Sequence, residues 1–335
     1  MQLPNDAPVR LPISISWVES RVLSATKAGG FYFGEGSCSE VLPDGVMPLE
    51  MPVLGASKDS GCEIWLSGPS TTFEQVENIR FVRAGTTVFG YISLSEPLGA
   101  DLEELTYLAY VEILQFVRSL GSHHLWRLWN YFRDINELTS GLERYRAFNV
   151  GRQRAYHLAD DLLATGLPAA SAIGVRKGGL SVAFIAGTQQ PQLIENPRQI
   201  SAFKYPECYG PKSPSFSRAG LIDAGEAKLL LVSGTASIVG HESLHADNPL
   251  AQTMTSLENI KLVVAEAEKL AVSPFSIQDM FYRVYVRNER DYLSVKKGFT
   301  EFFTGCSIPL NVHYVLGDIC RSDLLVEIEA SGCFA

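Results

Sequence analysis

The order of expected strands and helices limits the fold of this chain more than any single motif does. Thr87–Leu94, rich in β-branched and aromatic residues, reads as a strand. Residues 101–120 read as a helix. Leu102, Leu105, Ala109, Ile113, Phe116 and Leu120 keep the three-and-four spacing of one buried stripe, and Gly121 stands where a C-terminal glycine cap belongs. A strand at 124–132, a second helix over 142–163 and closing strands at 170–175 and 180–185 follow, the last two joined by a turn at 176–179. The same order then returns. Strands at 228–233 and 235–240 precede a helix over 249–270, opened by Asn248 as N-cap and Pro249 in the first turn. A strand at 280–286, a shorter helix at 292–303 and strands at 312–316 and 324–328 complete the second set. Two copies of one element order imply an internal duplication. The fold class expected is α+β, with mixed sheets, helices on one face of each, and the two copies packed together over the other face.

The division that follows places one domain at 1–188 and the other at 189–335, with the polar, proline-rich stretch 189–214 as linker. Residues 1–75, rich in Pro, Gly and Ser, promise a few short strands and long loops, and no motif there carries chemistry.

Composition narrows the function. With 46% hydrophobic and 19% charged residues, the chain has an ordinary globular balance. A formal charge of −9 argues against a nucleic-acid partner and implies that any anionic substrate needs a local arginine pocket. No apolar run reaches the length of a membrane span, and the first eight residues have neither the basic start nor the apolar core of an export signal. The cysteines at 38, 62, 208, 306, 320 and 333 form no C-x-x-C pair, so free thiols in a reducing cytoplasm are expected. Without a phosphate loop, dinucleotide fingerprint or metal cluster, no cofactor and no metal are expected.

The stretch 317–330 holds the densest chemistry. Leu324, Val326, Ile328 and Ala330 alternate with Leu325, Glu327 and Glu329, so one face suits a core and the other carries carboxylates. A turn with Cys320 and Arg321 precedes them. This is either an edge strand with a wet polar face or part of a reaction centre. In the first copy the position of Glu327 falls near Val182 or Ala183, both apolar. That difference favours a carboxylate in the seam between the copies, where clefts commonly lie.

Three further constellations stand out. His241, Glu242 and His245 match H-E-x-x-H, but between a strand and a helix cap they should be loop, where the two histidines do not share a helical face. Arg144, Arg146, Arg152 and Arg154 open the second helix, either as a solvated basic face or as an anion trap. The loop 205–219 is stiffened by prolines and projects Tyr209, Lys212 and Arg218, as a packed linker or as the wall of a binding site.

At these residues the chain resembles known families. Gly234, Thr235 and Ala236, Leu257 to Ile260, Arg321 and Glu327 make the C-terminal half similar to small YjgF/RidA-type proteins. The blocks 142–146, Gly151 with Arg152, Tyr205 with Pro206, 209–211, 216–219, 234–243, and Cys320 with Arg321 and Glu327 resemble the chorismatases as a set. The resemblance covers about 140–330 and implies two RidA-like units, the second carrying the catalytic acid. It implies that chorismate is cleaved to pyruvate and 3-hydroxybenzoate, with 4-hydroxybenzoate as a possible further product. A dihydroxycyclohexadiene acid is the alternative product, and a non-catalytic protein that binds small carboxylates is the alternative class. Glu327 would protonate the enolpyruvyl ether, and the thiol of Cys320 goes with the aromatic product. Arg146, Arg152, Arg218 and Arg321 would anchor two carboxylates, with Tyr209 as hydroxyl donor. Ser237, or Ala236 beside it, would take the small-residue position that bears on product. Glu327 must then hold a proton near neutral pH, through burial or through Glu329. Arg321 works against this unless substrate engages it. The expected state is a monomer or weak homo-oligomer.

Overall fold

The structure, a computed structural model, describes residues 12–18, 27–35, 42–55, 60–97, 99–159, 162–164, 166–225, 227–271, 274–305 and 311–334. The first eight residues, which lack the features of an export signal, and Cys38 and Cys306 lie outside them. Five strands come first: β1 (Ile13–Val18), β2 (Ala28–Gly34), β3 (Val46–Glu50), β4 (Val53–Leu54) and β5 (Gly61–Ser67). The next set is β6 (Thr72–Val76), β7 (Ile79–Ala84), β8 (Thr87–Leu94), α1 (Leu102–Ser119), β9 (His124–Arg133), the hairpin β10 (Leu138–Thr139) and β11 (Leu142–Glu143), α2 (Arg144–Tyr156), β12 (Ala169–Val175) and β13 (Leu180–Gly187). The last set is β14 (Gln192–Ile194), β15 (Ala219–Asp223), β16 (Lys228–Ala236), the small hairpin β17 (Ile238–Val239) and β18 (Glu242–Ser243), α3 (Pro249–Ala271), β19 (Phe281–Val286), α4 (Tyr292–Phe302), β20 (Asn311–Leu316) and β21 (Val326–Phe334).

The duplication is explicit in the sheets. One has the order β12-β9-β13-β8-β7-β6, the other β20-β19-β21-β16-β15-β14 with β4 added beyond β20. In each, the middle strand pairs in parallel with one closing strand and antiparallel with the other. The expected hairpin across 176–179 is therefore corrected: β12 and β13 flank β9 and do not pair with each other. A helix separates β9 from β12, and that crossover sets them parallel.

Each helix pair covers the outer face of its own sheet. Asp101 caps α1 through its carboxylate on the Glu103 N–H, and Asn248 caps α3 through its side-chain oxygen on the Ala251 N–H. Helix α2 is shorter than the 142–163 expected. The N–H groups of Leu158 and Ala159 bond back only three residues, and this tight turn ends the helix. A third layer was unforeseen. The sheet β1-β5-β2-β3 packs the inner faces of both other sheets into one core, with Phe31, Met47 and Trp65 against Phe89, Trp129 and Tyr285. The strands β1, β2, β3 and β5 thus share the core of both copies, and β4 joins the C-terminal sheet, with Val53 opposite Val315.

Three local expectations change. The stretch 228–236 is one strand with an irregularity between Val232 and Thr235, not two strands. The stretch 189–214 is no simple linker, because β14 extends a sheet and the rest walls a cavity. Along β21 the alternation holds from Val326. Leu324 and Leu325 precede the strand, and they pack into the opposite clusters from those expected.

Candidate active site

A cavity of about 810 Å3, counting its mouth, opens between the two duplicated sets. Its back is built from strands. Ala170, Ser171 and Ala172 of β12 face Gly234 and Ala236 of β16, and Glu327 rises between them from β21. The edge of the first sheet is pinned here by the hydroxyl of Ser233, which accepts from the Ala170 N–H at 2.9 Å. Gly234 leaves the room the acid needs: a Cβ there would stand 1.9 Å from Glu327 Oε1.

Helix α2 supplies Tyr145, Arg146 and Arg152. It sits close to α1 because Gly151 has no side chain; a Cβ would come within 2.1 Å of the Glu103 carbonyl oxygen. The four arginines of 144–154 divide. Arg144 is bound to Glu96 in a buried pair at 2.7 Å, and Arg154 lies outside on Glu103 and Glu104. Arg146 and Arg152 line the cavity. The loop 199–218 closes the front with Gln199, Tyr205, Tyr209, Phe216 and Arg218.

Two of the guanidiniums hold spare donors. Arg218 gives Nη2 to the Ile200 carbonyl (2.9 Å) and Tyr205 OH (2.8 Å), and Arg152 gives Nη2 to Asn149 (2.7 Å). The Nε–H of each is buried without an acceptor. A buried donor left unpaired costs about 1–3 kcal/mol, so a ligand that brings carboxylate oxygens is favoured at these points.

The turn 317–324 is held by a residue that sequence reading missed. Arg287 donates to the carbonyls of Ile319, Arg321 and Leu324 and pairs with Asp318. That fixed turn presents Cys320 with its sulfur 4.0 Å from Glu327 Oε2. Arg321 turns away from the acid. Its guanidinium stacks 3.9 Å from the Tyr209 ring centroid, and it donates to the His241 carbonyl at 2.8 Å. Tyr209 OH lies 3.1 Å from His241 Nδ1, so the H-E-x-x-H segment serves as scaffold for this wall. Ser237 is the exception among the expected site residues. Its hydroxyl donates to the Leu244 carbonyl at 3.0 Å, and Ala236 and Ile238, its neighbours in the chain, line the cavity instead.

Glu327 is 4% exposed. Burial pushes its carboxyl up to about 8, Glu329 adds to the rise, and Arg127 and Arg218 oppose it. Glu329 is equally buried, and burial alone would raise it too, but Arg283 and Arg127 hold it below the usual carboxylate range. Burial, followed by the nearby Glu327, pushes the Cys320 thiol up to about 12. At neutral pH the cavity therefore offers a carboxylic acid, a neutral thiol and several guanidiniums.

Fold and cavity together define a class: a duplicated α+β enzyme with an arginine-lined cleft between its two units. Residues 63–186 match the family described as chorismatase FkbO/Hyg5-like, N-terminal. The chain is 32% identical to a 3-hydroxybenzoate synthase of Streptomyces hygroscopicus, over 86% of either protein. It is 36% identical to a chorismatase of Streptomyces rapamycinicus, over 81% of this chain and 82% of that one. A crystal structure of chorismatase matches with a TM-score of 0.83 at 28% identity, over 95% of this chain and 98% of the other. The chain belongs to the chorismatase family.

Proposed function

We propose that this enzyme cleaves chorismate to pyruvate and 3-hydroxybenzoate. The observation that carries the reading is a carboxyl kept in its acid form inside a cavity lined by guanidiniums. Chorismate carries two carboxylates, and Arg152 and Arg218, with spare buried N–H groups, are the anchors proposed for them. Arg146 and Arg321 line the mouth and front, with Tyr209 as a hydroxyl donor.

Glu327 protonates the methylene carbon of the enolpyruvyl group. The resulting oxocarbenium carbon draws electrons from the ether, and pyruvate leaves as the ring C3–O bond breaks. The neighbouring ring hydroxyl closes on C3 and returns its proton to the Glu327 carboxylate; the C4–O bond of that epoxide then opens, the oxygen kept on C3 takes up a proton, and loss of the C3 hydrogen as a proton gives the aromatic ring. No water is consumed overall. Attack by water in place of the ring hydroxyl gives the dihydroxy diene acid. Cys320, held as a thiol, acts in this scheme through shape and a weak S–H contact and not as a thiolate nucleophile.

Among the described residues no helix is long and apolar enough to cross a membrane. With its net negative charge and no C-x-x-C pair, the enzyme is proposed to work in the cytoplasm, as a monomer or weak homo-oligomer, without a nucleic-acid partner. The test is incubation with chorismate, with pyruvate followed through lactate dehydrogenase and the ring products separated by chromatography. Equimolar pyruvate and 3-hydroxybenzoate is the expected result. Tight chorismate binding without pyruvate release would overturn it in favour of a binding protein.

A further inference from the structure

Beneath the cavity a chain of buried charges leads from the β21 carboxylates into the N-terminal sheet. Glu329 lies on the same strand face as Glu327. It accepts from Trp129 Nε1 (2.9 Å), Tyr285 OH (3.1 Å) and the Ser171 hydroxyl. Its oxygens pair with Arg127 at 3.2 Å and Arg283 at 3.3 Å. Arg283 then forks onto Glu63 of β5, with Nε 2.8 Å from Oε2 and Nη2 on Oε1, and Trp65 Nε1 donates to the same carboxylate at 2.5 Å. Glu63, Arg127, Arg283 and Glu329 are all at most 4% exposed.

Two guanidiniums thus meet two carboxylates, and the buried set is electrically closed. A third carboxylate, Glu327, stands beside it. Among the described residues no cation lies within ion-pair distance of Glu327. The guanidiniums that face it from other elements are each held by other partners, and Arg218, like Arg127 of the set, opposes its proton only from beyond ion-pair distance. Arg218 is bound to Ile200 and Tyr205, Arg152 to Asn149, and Arg321 to His241 and Ser243. Cys320 is held as a thiol, and burial raises Tyr145 of α2 and Tyr285 of β19 far above the usual phenol range. An isolated buried charge is costly, so the member left over from a closed set carries the proton.

We propose that Glu63, Arg283, Arg127 and Glu329 form a charge clamp that sets two buried guanidiniums against two carboxylates and keeps Glu327 in its proton-bearing form, which makes Glu63 a positioning residue for proton donation although it touches no wall of the cavity. The inference rests on Glu327 being the acid of the proposed reaction. Joining the three sheets is the purely structural alternative for the same contacts, and the two differ in what they do to a pH profile.

Glu63→Gln removes one negative charge from the clamp and leaves Arg283 in excess. The high-pH limb of kcat/KM for pyruvate release is expected to move down by about one pH unit, passed on through Arg283 and Glu329. Arg127→Met removes one positive charge and is expected to move the limb up. Glu63→Asp, which restores the charge, is expected to bring the limb back. Folded variants whose limb stays at the wild-type position, whatever their kcat, overturn the clamp. A readout that needs no active variant is the carbon-13 titration of glutamate carboxyls in the wild-type protein. One buried glutamate should hold a proton at pH 7 while Glu329 stays ionised, and a proton on Glu329 overturns the proposal. If wild-type protein releases no pyruvate from chorismate, the functional reading fails, and the titration still decides the clamp.

Discussion

The acid form of Glu327 has a cost that can be measured separately from catalysis. Its carboxyl sits at about 8 in place of the ordinary 4.5. At pH 7 about nine in ten molecules then carry the proton, against roughly one in 300 for an unperturbed carboxyl. Below pH 4.5 the folded and unfolded chains are both protonated there, and the group is neutral to stability. Between 4.5 and 8 the unfolded chain ionises and the folded one does not. The folded state therefore loses about 1.4 kcal/mol per pH unit, reaching an upper bound near 5 kcal/mol above pH 8. Glu327→Gln keeps the shape and removes the titration. It should be inactive, no less stable than wild type at pH 4.5, and more stable by up to about 3 kcal/mol at pH 7. Urea denaturation of both proteins from pH 4.5 to 8.5 gives the difference directly, and wild-type kcat/KM should fall tenfold per pH unit above about 8. A stability difference independent of pH, or a variant with full turnover, would refute the reasoning.

Other outcomes follow from single contacts. Cys320→Ala should keep pyruvate release within about threefold while lowering the aromatic share of the ring product, because the thiol is held neutral and no thiolate is lost; an unchanged chromatogram removes the thiol from the chemistry. Arg218→Lys keeps the charge but loses the planar fork, and KM for chorismate should rise by about 10–100-fold with a smaller change in kcat. Gly151→Ala forces α2 off the Glu103 carbonyl, so thermal denaturation should show a loss of about 1–3 kcal/mol and chorismate affinity should weaken with it.

What the sequence disclosed, it disclosed through periodicity. The helices of 102–119 and 249–271 carry apolar stripes long enough to read, and their caps are local, so element order and duplication were visible. Strand pairing was not, because which strand lies between β12 and β13 is decided by the crossover and not by any turn residue. Glu327 was legible because a carboxylate alternating with core residues on a closing strand is unusual. Ser171, Gly234 and Arg287 left no such mark. Gly234 matters through where its backbone lies, Ser171 through a hydroxyl bound to Glu329 far along the chain, and Arg287 through carbonyls supplied by a turn over thirty residues later. Of the two residues offered for the small-residue position, Ala236 lines the cavity, while Ser237 sits at a bend and turns its hydroxyl to the Leu244 carbonyl. Glu63 was invisible because its partner Arg283 lies 220 residues further on.

The duplication also explains why the acid occurs in one copy. Tyr131 and Tyr285 hold equivalent places on the central strands and meet hydroxyl to hydroxyl at 2.9 Å. Opposite Tyr285 the register places Glu327, and opposite Tyr131 it places Ser181, not Val182 or Ala183 as the sequence suggested. One step further along, Arg283 faces Glu329 while Trp129 faces Ala183. The second copy thus has two carboxylates where the first has a serine and an alanine. The first copy contributes Trp129 and Arg127 across the seam instead, to hold Glu329. The corresponding depression in the first copy is lined by Tyr32, Glu50, Lys177 and Ser181, with Lys177 already bound to Glu50 at 3.1 Å. A carboxyl placed at Ser181 would have neither the ionised neighbour nor the closed set of charges that the seam provides around Glu327. The acid therefore belongs to the pair of copies: one supplies the carboxyls and Arg283, and the other supplies Arg127 and the Trp129 indole, and together these sort which carboxyl keeps its proton.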